Sequence, residues 1–160
     1  MSNDTIVKFD RVQKSYDGEL LVVKDLNLEI EKGEFLTLLG PSGSGKTTTL
    51  LMLAGFETMT RGTIELAGQS LRNVPPHKRD IGMVFQNYAL FPHMTVYENL
   101  AFPLRARKLP REDEAGQVGR ALDMVQLGGY ERRRPAQLSS GQQQRVAVAR
   151  ALVYEPKLVL

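Results

Sequence analysis

The sequence predicts an α/β fold: an N-terminal antiparallel β-portion, then a strand, a glycine-rich loop and a helix, then a mostly helical insertion. Three observations predict it. Apolar and polar residues alternate with a period of two over residues 6–12 and 26–30; an almost continuously apolar run at 35–39 leads straight into Gly40; and helical spacing dominates from about residue 96 to 153.

Residues 6–12 and 26–30 read as strands with one buried face, paired antiparallel. Lys32, Gly33 and Glu34 turn the chain into residues 35–39, whose Phe-Leu-Thr-Leu-Leu reads as a strand buried on both faces, as in a parallel sheet. Residues 47–54 have helical character, with Leu50, Leu51 and Ala54 spaced to share a face and Gly55 as the stop. Residues 62–66 and 81–85 read as two more strands, separated by a Pro75-Pro76 loop in which no regular element easily persists. The helical spacing that follows is broken at Pro103, Pro110, Gly128-Gly129 and Pro135, the pattern of a helical subdomain inserted into an α/β core. Residues 157–160 begin another apolar strand. The expected organisation is a β-subdomain and loop-bearing core over 1–86, a helical subdomain over about 87–153, and the start of a further strand at 157–160.

The glycine-rich segment carries the chemistry. Gly40, Pro41, Ser42, Gly43, Ser44, Gly45, Lys46 and Thr47 fit the spacing G-x-x-x-x-G-K-S/T without a gap, between a predicted buried strand and a helix. At ordinary residue frequencies, chance places this pattern in on the order of one chain in two hundred of this size. Glycines let successive backbone N–H groups converge on phosphate oxygens, and the helix N-terminus adds partial positive charge. Lys46 supplies a point charge for the β- and γ-phosphates of a nucleotide, the Thr47 hydroxyl a ligand for the Mg²⁺ that bridges them, and Thr48 a further hydroxyl or backbone donor. An ordinary Gly/Ser loop capping a helix leaves Lys46 unexplained. The reading is therefore a binding site for ATP with Mg²⁺.

Composition narrows the rest. With 42% hydrophobic and 24% charged residues over 160 positions, the chain can bury a real core as one domain. It has no cysteine, which excludes a disulfide framework or a thiolate metal site and fits a reducing compartment. The first residues show no basic stretch followed by an apolar one, and the longest apolar runs, such as 50–54, fall far short of the ~20 residues that span a bilayer. The expectation is a cytoplasmic chain, neither secreted nor membrane-spanning. A net charge of +3, with clusters at Arg105, Arg107, Lys108 and at Arg132, Arg133, Arg134, raises nucleic acid as a partner. Acids stand near both clusters, in Glu112, Asp113, Glu114 and Glu131, and no aromatic residues interleave as a stacking platform needs. A solvated face is the favoured reading.

A second motif sets the family. Leu138, Ser139, Ser140, Gly141, Gln142, Gln143, Gln144 and Arg145 precede an Ala/Val/Leu-rich helix, about ninety residues after the glycine-rich loop. Together the two segments resemble the phosphate loop and signature motif of the ABC ATPase family, usually LSGGQ followed by a Gln/Arg-rich turn. The resemblance runs along essentially the whole chain, and the stretch from Gln86 to Leu100 resembles importer ATPases of the sugar, polyamine and ferric-ion type.

The resemblance implies roles. Tyr16 would stack on adenine; Gln86 would reach toward Mg²⁺ and the attacking water and sense the membrane subunit. Taken alone, Tyr16 is an aromatic flanking a turn and Gln86 a strand-end residue. Ser139, Gly141 and Gln142 would contact the γ-phosphate of ATP held by the opposite subunit of a head-to-tail dimer, again a helix N-terminus facing an anion. Ser140 departs from the family, standing where the first of two glycines is usual; serine suits a helix start and can donate to phosphate, so the expected effect is modest.

The resemblance also implies an Asp and a Glu directly after the strand begun by Leu158, Val159 and Leu160, and a later histidine. None is among the 160 residues, and His77 and His93 read as ordinary loop histidines. The expected fold is therefore C-terminally incomplete: the chain binds nucleotide through Lys46 but does not hydrolyse it alone, and residues 35–39 lose the neighbours that bury them. The leading expectation is the energising subunit of an importer, on the inner face of the cell membrane. It would act as a homodimer or with a paired ATPase subunit, on transmembrane permease subunits and with an extracytoplasmic solute-binding protein. A soluble ABC ATPase of translation or DNA repair, and a non-catalytic nucleotide-binding module, are the alternatives.

Overall fold

The first strand explains much of the N-terminal half. In the computed structural model, which describes residues 4–108, 110 and 113–160, β1 (Thr5–Ser15) is flanked on both sides in an antiparallel sheet of order β2-β1-β3-β4. Its neighbours are β2 (Leu21–Glu31) and β3 (Arg61–Leu66), with the short β4 (Gln69–Ser70) beyond. Val7 and Phe9 are buried on alternate positions, as the period of two requires. The alternation then slips by one residue: Phe9 faces Leu28 and Val12 faces Leu26, while Asp10 faces Thr63 and Gln13 faces Arg61. One extra residue is thus accommodated against both neighbours, a bulge centred on Arg11, whose φ of 47° is left-handed. Its N–H is satisfied by Asn27 Oδ1 at 2.8 Å. Opposite lies Gly62, where a Cβ would come within 2.5 Å of the Arg11 carbonyl oxygen, so only glycine fits. Beyond the bulge the inward side passes to Val12 and Lys14.

The helix α1 (Lys46–Ala54) ends at Gly55, which has a left-handed φ of 90°, at the stop the sequence marks. Its buried residues are Thr49, Met52, Leu53 and Ala54 rather than the expected Leu50–Leu51–Ala54 face. Arg79 closes the far end of this helix: its guanidinium donates to the carbonyls of Met52, Leu53, Leu71 and Val74 at 2.8 to 3.2 Å.

Residues 35–39 do not form the expected strand. No strand pairs with them among the described residues, and Phe35 and Leu39 are 94% and 89% exposed. A strand is a partnership, and an apolar run without a neighbour to accept its N–H groups does not become one. Within the Pro75-Pro76 loop a short 3-10 turn does form over Pro76–Lys78, with proline at its first position, where no N–H is needed.

The chain divides into two compact units, Met1–Arg79 and Asp80–Leu160. In the second, β5 (Ile81–Gly82) pairs in parallel with β6 (Leu158–Val159), so the apolar strand expected at 157–160 is present. The strand expected over 81–85 is regular only at its start, although the Val84 N–H still reaches the Leu160 carbonyl at 2.8 Å. Three helices, α2 (Val96–Ala106), α3 (Glu114–Met124) and α4 (Ser140–Leu152), enclose a core of Val96, Leu100, Leu104, Val118, Leu122 and Val146. Pro103 does not break the spacing as expected but sits inside α2. It removes one hydrogen bond, at a cost of about 3 kcal/mol. Burying Leu100 and Leu104 together returns about as much, at about 1.5–3 kcal/mol per side chain. Arg105 donates to both oxygens of the buried Glu114 at 2.8 and 2.7 Å, joining α2 to α3. Glu112, one of the acids expected near this basic cluster, lies outside the described residues.

Candidate functional site

The loop from Gly40 to Thr47 delivers its lysine at the first residue of α1. The Lys46 ammonium folds back over the loop, donating to the carbonyls of Gly40 (2.8 Å) and Pro41 (2.7 Å) and to Ser44 Oγ (3.0 Å). A turn closed by Ser44 N–H to the Pro41 carbonyl at 3.2 Å holds the ring of backbone around it. Gly45, the helix N-cap, offers no side-chain acceptor, and no acid stands in the first turn, so the start of α1 keeps its positive end free for an anion. Gly45 is forced: its φ is 84°, and a Cβ would meet the Val22 carbonyl oxygen at 2.9 Å and Val23 Cγ2 at 3.1 Å. Thr49 locks the turn from inside, its hydroxyl donating to the Gly45 carbonyl at 2.9 Å, while Thr47 is exposed and Thr48 half-buried. Neutral carbonyls hold the ammonium only until an anionic oxygen competes, because a full negative charge attracts it more strongly than a carbonyl dipole does. The loop is a cradle with an internal placeholder.

Tyr16 follows directly on β1 and is 60% exposed. Its short loop is rigid. Asp17 Oδ1 accepts from the N–H groups of Glu19 and Leu20, both at 2.9 Å, and from the Ser15 hydroxyl at 3.0 Å, while Gly18 N–H donates to Ser15 Oγ at 2.8 Å. The amides of Leu20 and Glu19, then the Ser15 hydroxyl, hold the Asp17 carboxyl below its ordinary range. This loop runs into β2, whose Val22 and Val23 crowd Gly45. Tyr16 and the glycine-rich loop thus flank the same strand end.

In the second unit, Gln86 is exposed four residues after β5. The chain then takes two consecutive left-handed residues, Tyr88 (φ 61°) and Ala89 (φ 47°). Non-glycine residues hold such angles only when their surroundings over-determine them. Arg150, in the last turn of α4, does so by donating to the Ala89 and Tyr88 carbonyls at 2.8 and 2.9 Å; burial lowers its pKa. Asn99, fully buried on α2, accepts from Phe91 N–H at 2.9 Å and donates to the carbonyls of Phe91, Met94 and Thr95. The segment after Gln86 is therefore clamped to two helices.

The helix α4 begins at the second motif. Ser139 is its N-cap, and Ser139 Oγ accepts from Gln142 N–H at 3.3 Å while Gln142 Oε1 accepts from Ser139 N–H at 2.9 Å, a reciprocal capping box. Ser140 is the first helical residue and exposed. A Cβ on Gly141 would meet nothing within 4 Å, so nothing within the chain requires glycine there.

Lysine at the end of a glycine-rich loop, at the free positive end of a buried helix, defines the α/β class of P-loop nucleotide-binding folds. The family model described as ABC transporter matches residues 23–160, and the chain belongs to that family. It is 57% identical over 150 residues to the spermidine/putrescine import ATP-binding protein PotA of Acidothermus cellulolyticus, covering 94% of this chain and 39% of that protein. It is 54% identical over 160 residues to PotA of Haemophilus ducreyi, covering 100% of this chain and 43% of that protein. The chain spans about four-tenths of the length of these curated relatives. Among solved structures it is similar to the dimeric post-hydrolysis state of the ATP-binding cassette MJ0796 bound to ADP and Pi, with a TM-score of 0.85 and 35% identity, over 96% of this chain and 72% of that one.

The residues predicted from sequence fall in both units: Tyr16 and Gly40 to Thr48 in the first, Gln86 and Ser139 to Gln142 in the second. Sequence reasoning missed Lys14, Asn99 and Arg150. No local signal marks Lys14 as buried, since alternation alone puts Gln13 on the inward side.

Proposed function

We propose that the chain holds Mg-ATP as the nucleotide-binding portion of an importer ATPase, coupling ATP binding and hydrolysis in the whole assembly to solute uptake through membrane permease subunits. The observation that carries it is the Lys46 ammonium seated among Gly40, Pro41 and Ser44 at the uncapped start of α1. The donor set fits a polyphosphate: an ammonium, backbone N–H groups at a helix N-terminus and small hydroxyls. Lys46 would take the β- and γ-phosphates, the exposed Thr47 hydroxyl would be a ligand for Mg²⁺, with Gln86 a further group toward that metal, and Tyr16 would take the adenine ring. Mg²⁺ supplies charge neutralisation on the phosphates.

Ser139, Ser140, Gly141 and Gln142 form the surface for the γ-phosphate of a second copy's nucleotide, in a homodimer or with a paired ATPase subunit. The open space over Gly141 supports this, because it leaves the start of α4 accessible to an approaching phosphate. The assembly works on the inner face of the membrane with permease subunits and a solute-binding protein, and the names of the relatives favour a polyamine as the solute. Neither nucleic-acid binding nor a soluble non-transport role draws comparable support: Arg133 and Arg107 stack on Tyr130 and Tyr154 of the same chain, at 4.1 and 3.7 Å.

The 160 residues alone are a nucleotide holder with background turnover, because none of the carboxylates that the family places after β6 is among them. Calorimetric titration with ATP, with and without Mg²⁺, alongside a phosphate-release assay tests both halves. Saturable binding that Mg²⁺ strengthens, with phosphate release at background, is expected. Absence of binding overturns the first half, and Mg²⁺-dependent release overturns the second.

A further inference from the structure

The bulge at Arg11 has a consequence three residues downstream. By moving the inward side of β1 from odd to even positions, it buries Lys14, a residue that alternation alone would leave outside. Lys14 is 6% exposed, yet its charge is answered: its ammonium lies 2.9 Å from Glu57 Oε2 and 4.6 Å from the centroid of the Tyr16 ring. Glu57 belongs to the exit of α1, where its N–H and that of Phe56 donate to the Leu51 carbonyl at 3.2 and 2.9 Å. Thr60 completes the lacing. Its N–H donates to the Gln13 carbonyl at 2.8 Å, its hydroxyl accepts from Ser15 N–H at 2.9 Å, and the same hydroxyl donates to the Ser15 carbonyl at 3.3 Å.

We propose that Lys14 is a positioning residue for the nucleobase: it braces one face of Tyr16, leaves the other face for a purine, and through Glu57 ties this platform to the helix that begins at the phosphate loop. The proposal rests on the reading of Tyr16 as the base platform and of Gly40 to Thr47 as the phosphate loop.

Two physical effects follow. A cation against one face of an aromatic ring fixes the ring and cuts the ordering cost of stacking a ligand on the other. Because α1 carries Lys46 at one end and leads to Glu57 at the other, the Lys14–Glu57 pair also sets the distance between base and phosphate sites. Lys14 touches no ligand in this scheme; it acts through Tyr16.

A comparison of two ligands separates this role from a merely structural one. Mg-ATP and inorganic tripolyphosphate are titrated into the 160-residue chain by calorimetry; the second offers the phosphates without the base. In Lys14→Met, ATP affinity is expected to fall roughly five- to twentyfold, the range of a lost cation–π contact with weakened stacking, while tripolyphosphate affinity stays within about twofold. Lys14→Arg, which keeps a cation under the ring, is expected to retain most of the ATP affinity. Tyr16→Leu should match the ATP loss, and the double variant Lys14→Met with Tyr16→Leu should lose no more than Tyr16→Leu alone. Equal losses for both ligands in Lys14→Met, or additive losses in the double variant, overturn the proposal. Should Lys14→Met not fold, loss of ATP affinity alone in Lys14→Arg, or its retention, decides between a specific fork geometry and the cation bracing proposed here; loss overturns it. If Tyr16→Leu binds ATP as the wild type does, the reading of Tyr16 fails instead, and the bracing role with it.

Discussion

Replacing Arg150 with methionine should release the segment after Gln86 without unfolding the helices around it. The guanidinium makes two bonds to the segment, to the Tyr88 and Ala89 carbonyls at 2.9 and 2.8 Å. Hydrogen bonds to a charged group contribute about 1.5–3 kcal/mol each. Since one of the two is exposed, about 2–3 kcal/mol is a fair net figure for the pair. The two residues it holds are left-handed, and each stores about 1 kcal/mol or more that the clamp opposes. With every 1.4 kcal/mol worth a factor of ten, local opening should become roughly 30- to 150-fold more frequent. Amide hydrogen exchange reads this directly. Tyr88 N–H is bonded to the Phe85 carbonyl and Ala89 N–H to the Asn87 carbonyl, so both should exchange faster by that factor, while Val146 and Ala149 in α4 keep their protection. Arg150→Lys should behave nearly as badly, because an ammonium does not reproduce the planar fork. Unchanged exchange at Tyr88 and Ala89 would refute the reasoning, and so would a uniform rise across the second unit.

Gly45→Ala places a Cβ within 2.9 Å of the Val22 carbonyl oxygen at a left-handed φ and should lower unfolding stability by about 2 kcal/mol or more in urea titration. Arg79→Met takes the guanidinium from four carbonyls around the end of α1, of which Met52 and Leu71 keep backbone donors in Gly55 and Val74, and should cost about 2–4 kcal/mol in the same measurement. The Glu98 carboxyl is held below its ordinary value by the backbone N–H of Thr95, in the capping box that starts α2. Its folded pKa lies below its unfolded one, so its contribution is present above the unfolded value and lost as pH falls through the folded one. Glu98→Gln should therefore remove part of the acid-side slope of stability below about pH 4.5, read by far-ultraviolet melts at successive pH values. Ser140→Gly should leave ATP-driven dimerisation in light scattering unchanged, since Ser140 is exposed at the first position of α4; a clear gain would show that serine strains the dimer.

The parts of the fold legible in the sequence are those set by neighbours along the chain. The strand over residues 6–12, whose alternation holds as far as the bulge at Arg11, the stop at Gly55, and the helix start at Ser139 with its partner Gln142 three residues on are all local signals, and each is realised to that extent. What depends on distant partners was hidden. Residues 35–39 have a strand's composition but, among the described residues, no strand paired with them, and Pro103 sits in a helix because α3 and α4 bury Leu100 and Leu104 from the other side. The bulge at Arg11 is written partly in Gly62, about fifty residues further along the chain, so Lys14 could not be placed from its own surroundings. The same holds for Arg150, whose partners are about sixty residues earlier. The glycine-rich loop was legible because phosphate chemistry constrains consecutive residues. The braces around it come from elsewhere in the fold.

The central claim is that Lys46 and its loop form a nucleotide site. Equilibrium dialysis of labelled ATP with Mg²⁺ against the wild-type chain and Lys46→Met tests it most directly, with circular dichroism verifying that both are folded. Saturable binding by the wild type and its loss in Lys46→Met, with unchanged secondary structure, is the expected result. Equal binding by both chains, or none by a folded wild type, would contradict it.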